Sequence, residues 1–394
     1  MSSWRRLRLG DVLTLKRGYD LPEQNRCIGP VPIVSSSGTT GCHSEAKVKG
    51  PGVVTGRYGT LGQVFYIDRD FWPLNTTLYV VDFKGNDPRF VAYMLRTLAF
   101  DQQNVAGAVP GVNRNYLHEI PVSLPSTAVQ RRIASILSVY DDLIENNLRR
   151  IKILEDMAQS LYKEWFVDFR FPGHEDIRMV GSSLGMIPEG WEVACLKDHC
   201  TTQYGYTESA RDDAVGPKFL RGMDINKSSY IDWDGVPYCS ISDQDVGKFH
   251  LQRGDVVMIR MADPGKVGIV ETAVDAVFAS YLVRLRPMSE RTTPYYLFYL
   301  LLGDTYQDYI QGASGGTTRR SASATVMTQF EFFLPPMHLV TQFDETVGEL
   351  RGLLNVLVGM NGRLRQTRDL LLPKLISGEI DVSDLDIDVG EDAA

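Results

Sequence analysis

The stretch that decides the fold is residues 126–165, STAVQRRIASILSVYDDLIENNLRRIKILEDMAQSLYKEW. It contains no Gly or Pro, and its apolar side chains recur at alternating steps of four and three residues. A period of 3.5 residues kept over this length indicates a coiled-coil seam rather than the buried face of an ordinary core helix. The positions of the seam are Ile133, Leu137, Tyr140, Ile144, Asn147, Ile151, Leu154, Ala158 and Leu161.

A second seam with the same spacing lies near the C-terminus. Its positions are Val347, Leu350, Leu354, Leu357, Asn361, Leu364, Arg368, Leu371 and Leu375. Each seam contains one asparagine, and in an antiparallel pair with Asn147 opposite Asn361 the other layers are apolar except Tyr140–Arg368. An arginine can stack on a tyrosine, and a buried asparagine pair fixes register at a cost in stability. We therefore predict an intramolecular antiparallel coiled coil; exposed edge positions for both asparagines are the open alternative.

The rest of the chain repeats itself. Trp4, Leu9, Asp11, Gly18 and Tyr19 recur 187 residues later as Trp191, Leu196, Asp198, Gly205 and Tyr206. Val53, Val54, Arg57, Gly62 and Val64 recur 203 residues later, and Leu124-Pro125 recurs after 210. The growing offset is expected if the second copy carries insertions in surface loops.

Each copy shows short alternating strands with Gly, Ser, Thr and Asn turns, then a short apolar helix near residues 88–98 or 293–302. A polar loop follows at residues 104–116 or 310–323, before a strand that ends in Leu-Pro. The predicted fold class is α+β: two similar globules joined by two long helices, related by a pseudo-twofold axis. We place the globules at residues 1–123 and 173–335, the helical spacers at 124–172 and 336–378, and an acidic tail at 379–394.

Composition excludes several classes of protein. No apolar run reaches the ~20 residues of a membrane span, and the N-terminus has no signal-peptide pattern, so we expect a cytoplasmic protein. The five cysteines contain no CxxC pair, so no metal site is expected. The formal net charge is −8, but seven acids lie in residues 378–394, which leaves −1 for the rest. Such a tail is typical of solvated or disordered chain.

Several strings resemble the specificity subunits of type I restriction-modification systems, and the resemblance covers nearly the whole chain apart from the tail. They are WRRLRLGDV (4–12), GRYGTLGQVFYI (56–67), FWPLNTTLYV (71–80), IPEGWEVACLKD (187–198), LLLPKLISGEIDV (370–382) and the helical region 124–173. The resemblance implies two target-recognition domains, each reading half of a split DNA sequence. The helical regions would act as a ruler between the half-sites and as a docking surface for modification subunits.

Partners follow from the same resemblance. They are double-stranded DNA, modification (methyltransferase) subunits in two copies, and restriction (translocase) subunits. No cofactor is expected on this chain: S-adenosylmethionine, ATP and Mg would be held by the partners. In agreement, the sequence has no GxxxxGK[ST] loop, no Asn-Pro-Pro-aromatic string and no HExxH motif, so we predict a non-catalytic subunit.

A DNA-reading globule needs cations for phosphates and polar side chains that reach base edges. In the first globule the candidates are Ser36, Thr39, Thr40, Arg57, Tyr58, Asn75, Thr76, Asn113 and Arg114. In the second they are Tyr204, Tyr206, Arg221, Arg260, Lys266, Thr317, Thr318, Arg319 and Arg320. The second globule has IRMADPG where the first has GRYGTLG, so we expect an asymmetric site.

Each candidate also has a structural interpretation. Asn75 and Thr76 fit ordinary strand entry, and the matched Arg57 and Arg260 could serve an internal salt bridge common to both copies. Two other functions stay open. One is a specificity domain serving a different defence complex, and the other is a coiled-coil scaffold whose globules bind ligands other than DNA.

Overall fold

The computed structural model describes residues 4–58, 62–98, 112–289, 291–315 and 320–386. The chain divides into two compact units: Met1–Glu145 with Arg363–Ala394 forms unit 1, and Asn146–Gly362 forms unit 2. Both divisions fall inside the long helices. Each unit therefore contains one globule together with a segment of each long helix.

The globule of unit 1 is a small mixed fold. Its elements are β1 (Arg5–Arg8), α1 (Leu9–Val12), β2 (Thr14–Arg17), β3 (Val31–Ser35), β4 (Gly38–His43), β5 (Gly52–Gly56), β6 (Val64–Ile67), β7 (Trp72–Pro73), β8 (Thr77–Asp82), α2 (Pro88–Arg96), α3 (Arg114–His118) and β9 (Pro121–Leu124). The main sheet has the order β2-β8-β5-β6, beside a β4-β3-β7 sheet and a β1-β9 pair. Helix α2 starts at Pro88 because the Asp87 carboxylate accepts from the Phe90 N–H.

The first long helix and the globule of unit 2 follow. They comprise α4 (Thr127–Tyr162), β10 (Met179–Ser182), β11 (Gly185–Pro188), β12 (Glu192–Cys195), β13 (Cys200–Tyr204), β14 (Lys218–Leu220), α5 (Asp243–Phe249), β15 (Val256–Ile259), β16 (Val267–Ile269), β17 (Ala276–Phe278), β18 (Leu282–Pro287), α6 (Pro294–Leu302), α7 (Asp304–Ala313), α8 (Ala324–Thr328), β19 (Glu331–Leu334) and the second long helix α9 (Met337–Ser377). One π-helical turn, Lys163–Val167, extends α4.

The two globules share one topology. The sheet β13-β18-β15-β16 repeats the order β2-β8-β5-β6, and β12-β19 repeats the pair β1-β9. The parallel pair β14-β17 likewise corresponds to β3-β7. The predicted α+β class is confirmed, and the repeat found in the sequence is a repeat of strand order.

The matched glycines Gly18 and Gly205 have the same steric role. A Cβ on Gly18 would lie 2.1 Å from the carbonyl oxygen of Leu74, and one on Gly205 would lie 2.3 Å from that of Ala279. In both copies the chain passes directly against the backbone that follows β7 or β17. Only glycine allows so close an approach.

The segments of α4 and α9 pack together within each unit. In unit 2, the Asn147 amide donates to the Asn361 carbonyl oxygen at 2.9 Å, and both side chains are buried. The neighbouring side chains form one apolar cluster, made of Ile151, Leu154, Leu354 and Leu357. In unit 1, Ile133 and Leu137 share a core with Leu371 and Leu375. Successive partners therefore follow the two helices in opposite directions in each unit.

Three expectations need correction. Arg368 donates to Asp141, so the layer expected at Tyr140 contains an ion pair one residue farther along α4. The loop expected over 310–323 begins later, because α7 continues to Ala313 with Tyr306 and Ile310 buried.

The acidic tail is not fully solvated. Val382 is buried in the core of unit 1, and Arg132 donates to the carbonyl oxygen of Ser383 at 2.7 Å. This part of the tail therefore packs as folded chain; residues 387–394 lie outside the described residues. Within the described part of the chain, no helix is both long enough and apolar enough to cross a membrane.

Candidate nucleic-acid interface

Polar and aromatic side chains collect along one edge of the main sheet in each globule. In the first, β2 ends at Arg17, β5 ends at Gly56 and β8 begins at Thr77, with Arg17 opposite Leu78 and Gly56 opposite Thr77. We call the residues at these strand ends the strand-end edge. In the first globule it contains Arg17, Arg57, Tyr58, Asn75 and Thr76. In the second globule it contains Tyr204, Arg260, Ser280 and Tyr281.

Arg57 is fixed at the end of β5 by two backbone hydrogen bonds. Its N–H donates to the carbonyl of Thr76 at 2.9 Å, and its carbonyl accepts from the N–H of Val112 at 3.0 Å. The guanidinium lies over the ring of Tyr58, 4.5 Å from the centroid. This stacking leaves the N–H groups of the guanidinium in its plane free to approach an acceptor.

Arg260 has the same backbone frame at the end of β15. Its N–H donates to Tyr281 and its carbonyl accepts from Ala322, both at 2.9 Å. Its guanidinium stacks on Tyr204 at 4.7 Å, and the Tyr204 hydroxyl accepts from the N–H of Ala324. The Nε of Arg260 is buried and, within the described part of the chain, has no hydrogen-bond partner.

The sequence left open that Arg57 and Arg260 serve an internal salt bridge common to both copies. Among the described residues, neither Arg57 nor Arg260 forms an ion pair with a carboxylate. Both guanidiniums instead stack on a tyrosine. A stacked guanidinium is suited to bidentate acceptors such as a phosphate or the O6/N7 edge of guanine. The Nη1 of Arg260 also donates to the carbonyl oxygen of Ser280 at 3.5 Å, so this guanidinium is held more tightly than that of Arg57.

Other candidates of the first globule lie near this edge or on the neighbouring hairpin. Ser36 is in the turn between β3 and β4, and Thr39 and Thr40 are exposed on β4. Asn75 donates to Asp20. The Thr76 hydroxyl is buried and has no hydrogen-bond partner among the described residues; it lies beside the carbonyl that accepts from Arg57.

The helix α3 explains two further candidates. Asn113 caps it by accepting from the N–H of Asn115, whereas Arg114 is exposed. Burial, assisted by the charges of Arg114 and Lys84, lowers the pKa of His118. A neutral His118 can accept the hydrogen bond that its Nε2 receives from the N–H of Leu15.

In the second globule the structure separates the candidates. Tyr206 packs on Phe249, and Arg221 pairs with Asp224 at 2.9 Å, which favours structural roles for both. Lys266 is exposed in the turn after β15. Arg320 is exposed, and its Nη1 donates to Gln311 at 2.7 Å.

The remaining candidates are Thr317, Thr318 and Arg319, and they lie outside the described residues.

Three edge residues were not found from the sequence. Arg17 lies at the end of β2, in the position that Tyr204 holds in the second copy. Ser280 corresponds to Asn75, and Tyr281, which is 54% exposed, corresponds to Thr76. Aligning the copies strand by strand reveals all three residues, because the offset is 187 at β2 and 205 at β8.

The two globules differ in charge. Residues 1–123 contain 14 Lys and Arg against 10 Asp and Glu, whereas residues 173–335 contain 15 against 21. Cations at the second edge therefore act against an acidic background. Within the described residues, no group of three or more His, Cys, Asp or Glu side chains is placed to hold a metal ion.

Comparison with known proteins gives concordant results. A family model described as a type I restriction modification DNA specificity domain matches residues 1–156. The chain is 26% identical over 317 residues to the type I restriction enzyme MjaIX specificity subunit of Methanocaldococcus jannaschii, covering 75% of this chain and 70% of that one. It is 23% identical over 403 residues to the HindI specificity subunit of Haemophilus influenzae, covering 81% and 84%.

A solved structure has the same fold. The crystal structure of the type I restriction-modification S subunit from M. genitalium aligns with a TM-score of 0.60, at 14% identity, over 95% of this chain and 96% of that one. The family model matches the first globule and most of α4, and the second globule repeats the topology of the first. The chain is similar over three quarters or more of its length to specificity subunits of type I restriction enzymes.

Proposed function

We propose that the chain reads an asymmetric, bipartite DNA site, with one half-site for each globule. The observation that carries this proposal is the strand-end edge. Its backbone frame is shared, because Arg57 and Arg260 make equivalent hydrogen bonds, but its side chains differ. Equivalent frames support equivalent placement on DNA, and different side chains support different base sequences.

Within each edge we assign the stacked arginine to a base edge or an adjacent phosphate. Tyrosine stacking limits the rotamers of Arg57 and Arg260, which reduces the entropy lost when DNA binds. The exposed cations Arg114, Lys266 and Arg320 would contact phosphates. Such contacts set affinity and its salt dependence rather than the sequence that is read.

We propose that the paired helices set the distance between the half-sites. The Asn147–Asn361 hydrogen bond supports this role, because a buried polar pair disfavours sliding of one helix along the other. Alpha helices rise about 1.5 Å per residue, so the 36 residues of α4 extend about 54 Å. One coiled-coil heptad corresponds to about 10 Å, or about three base pairs of B-DNA.

The outer faces of the helices support docking of modification subunits. Large apolar side chains are exposed there in both units. They are Val139, Leu143, Leu148, Ile153 and Met157 on α4, and Leu353, Val356, Met360 and Leu370 on α9. Exposed apolar faces of this kind mark protein interfaces. In this proposal two modification subunits bind the helices and supply S-adenosylmethionine, and restriction subunits supply ATP and Mg chemistry.

The proposal is tested by methylome sequencing of cells that express this chain with its methyltransferase partner. We expect one methylated motif made of two different half-sites at a fixed spacing. A continuous motif, or two identical half-sites, contradicts the proposal.

The ruler is tested by deleting residues 144–150 together with 358–364, one heptad from each helix. The deletion removes both asparagines and preserves the apolar layers on either side, so the spacer should shorten by about three base pairs. Deleting residues 144–150 alone is the control, because it shifts the register and should abolish methylation. An unchanged spacer in the paired deletion would refute the ruler.

A further inference from the structure

Each globule is fixed to its helix segments by a polar anchor. In unit 1, the Asp141 carboxylate on α4 accepts from the Tyr93 hydroxyl at 2.8 Å and from Arg96 at 3.0 Å, both on α2. It also accepts from Arg368 of α9. We call this set the first anchor. It joins α2 of the globule to both long helices.

The second anchor lies in unit 2 and is centred on Arg351 of α9. Its Nε donates to Glu271 at 2.8 Å, and its two other nitrogens donate to the hydroxyl and carbonyl oxygens of Ser229. The Ser229 hydroxyl donates to Glu155 of α4. The side chains of Arg351 and Glu271 are 0% and 4% exposed, so this pair is almost completely removed from solvent.

Asp141 and Arg351 occupy the same position of the repeat. The offset between β9 and β19 is 210 residues, and it carries Ile133 to Phe343, Leu137 to Val347 and Ile144 to Leu354. All six of these side chains are buried. The same offset carries Asp141 to Arg351. At one position of the scaffold, therefore, the first copy has a buried anion and the second has a buried cation.

The globules carry the complementary charges. Arg96 of α2 corresponds to Leu302 of α6, so the second globule has no cation at that point. Its acid, Glu271, follows β16 and corresponds to Asp68, which in the first globule is exposed and pairs with Arg69. Each globule thus matches the charge of its own helix position and mismatches the other.

A tyrosine shows the same inversion. Tyr93 and Tyr299 are equivalent residues of α2 and α6. Tyr93 donates to Asp141, whereas the buried hydroxyl of Tyr299 has no hydrogen-bond partner in the residues that the structure describes. A donor directed at a carboxylate in the first anchor is directed at a region centred on a guanidinium in the second.

We propose that Asp141 and Arg351 are positioning residues of opposite charge that make each globule pack only on its own segments of the long helices. We call this charge matching. It prevents a globule from packing on the other helix segments, since a mismatch would bury an unpaired charge. It also fixes how the globule is held on the helices. Its effect on DNA reading rests on the proposed function, because a loosely seated globule would tolerate altered distances between half-sites.

The test inverts the second anchor in the full-length chain co-purified with its methyltransferase partner. Arg351→Asp places two carboxylates together. Arg351→Asp with Glu271→Arg restores a pair of opposite charge in unit 2, with the carboxylate on the helix as in the first anchor and Tyr299 able to donate to it. Arg363→Asp, an exposed site on the same helix, is the charge-matched control. The readouts are the Tm without DNA, and binding to duplexes with the wild-type spacer or one base pair more or less.

We expect Arg351→Asp to lower Tm and to reduce preference for the wild-type spacer at least about tenfold. The double variant should recover both values, and Arg363→Asp should leave both unchanged. An unchanged Tm in Arg351→Asp, or no recovery of Tm and spacer preference in the double variant, contradicts the proposed charge matching. If Arg351→Asp does not fold, recovery of folding by Glu271→Arg still decides the question. If the wild-type complex binds no duplex, the proposed function fails. The Tm values of the wild type and the variants still test the charge matching, because they are measured without DNA.

Discussion

The two globules share a topology and differ in the side chains at their strand-end edges and in their charge. In each globule an arginine directly follows β5 or β15 and is held by the same two backbone hydrogen bonds. In the first globule this arginine stacks on the next residue, Tyr58, and in the second it stacks on Tyr204 from another strand. The first globule has an excess of basic residues and the second has an excess of acidic ones. A repeat can therefore preserve the position of a contact while changing what is contacted.

The largest effect is expected at the stacked arginines. Both variants are measured on a duplex that carries the motif found by methylome sequencing. Arg260→Ala should weaken binding to it by about tenfold to a hundredfold, and Arg57→Ala by about tenfold, since loss of a bidentate contact costs about 1–3 kcal/mol. Arg260 should matter more because its surroundings are acidic.

Competition binding at fixed salt measures both variants. Arg69→Ala and Arg291→Ala are the controls, because these arginines pair with surface carboxylates. An equal loss of DNA affinity in the control variants would show that the strand-end edge contributes no more to binding than other surface arginines.

The next effect concerns the segment that follows each long helix and packs against a globule. The chain after α4 packs Phe166, Phe169 and Phe171 against Trp191, whereas the chain after α9 buries Val382. Truncation after Ser377 should therefore destabilise unit 1 by about 2 kcal/mol, the contribution of one buried valine-sized side chain. Truncation after Asp386 should not. Thermal unfolding compares the two, and equal Tm values would show that the tail does not stabilise the unit.

A smaller effect is expected from pH. Burial alone would raise the pKa of Asp141, but Arg96, Arg368 and Tyr93 outweigh it and the pKa is lowered. A carboxyl with a lowered folded-state pKa stabilises the protein above its unfolded pKa of about 3.9, and this stability is lost as pH falls through the folded value.

The Tm difference between the wild type and Asp141→Asn should therefore be full at pH 7 and shrink below about pH 4. Asp142→Asn is the control, because Asp142 is 63% exposed and pairs with Arg89 at 3.6 Å. A difference that stays constant down to pH 3 would argue against a charged Asp141 in the first anchor.

The smallest effect is expected at Arg221. Its guanidinium is already paired with Asp224 in the same turn. Arg221→Ala should change affinity for DNA by less than about threefold, within the range of substitutions away from an interface. A loss as large as that of Arg260→Ala would place Arg221 in the interface and extend the second edge.

Much of the fold could be predicted because it depends on local periodicity. The seams and the short helices, predicted near 88–98 and 293–302, follow from the spacing of residues along the chain. The same spacing predicted the Asn147–Asn361 contact as one of two alternatives. The candidate site was predicted less completely. Asn113, Tyr206 and Arg221 have the residue types of DNA contacts, but their side chains cap, pack or pair internally.

The sequence by itself determined the repeat and the two long helices, since each is a pattern of spacing that a helix or a strand converts directly into a face. It predicted the Asn147–Asn361 pair but left exposed positions open, and the structure decided for the pair. Only the tertiary structure decided which tyrosine supports each arginine, that Val382 is buried, and that Asp141 and Arg351 have partners of opposite charge. These contacts join residues up to 251 positions apart, as in Arg132 and Ser383. Their geometry depends on how whole elements pack, and no local pattern records it.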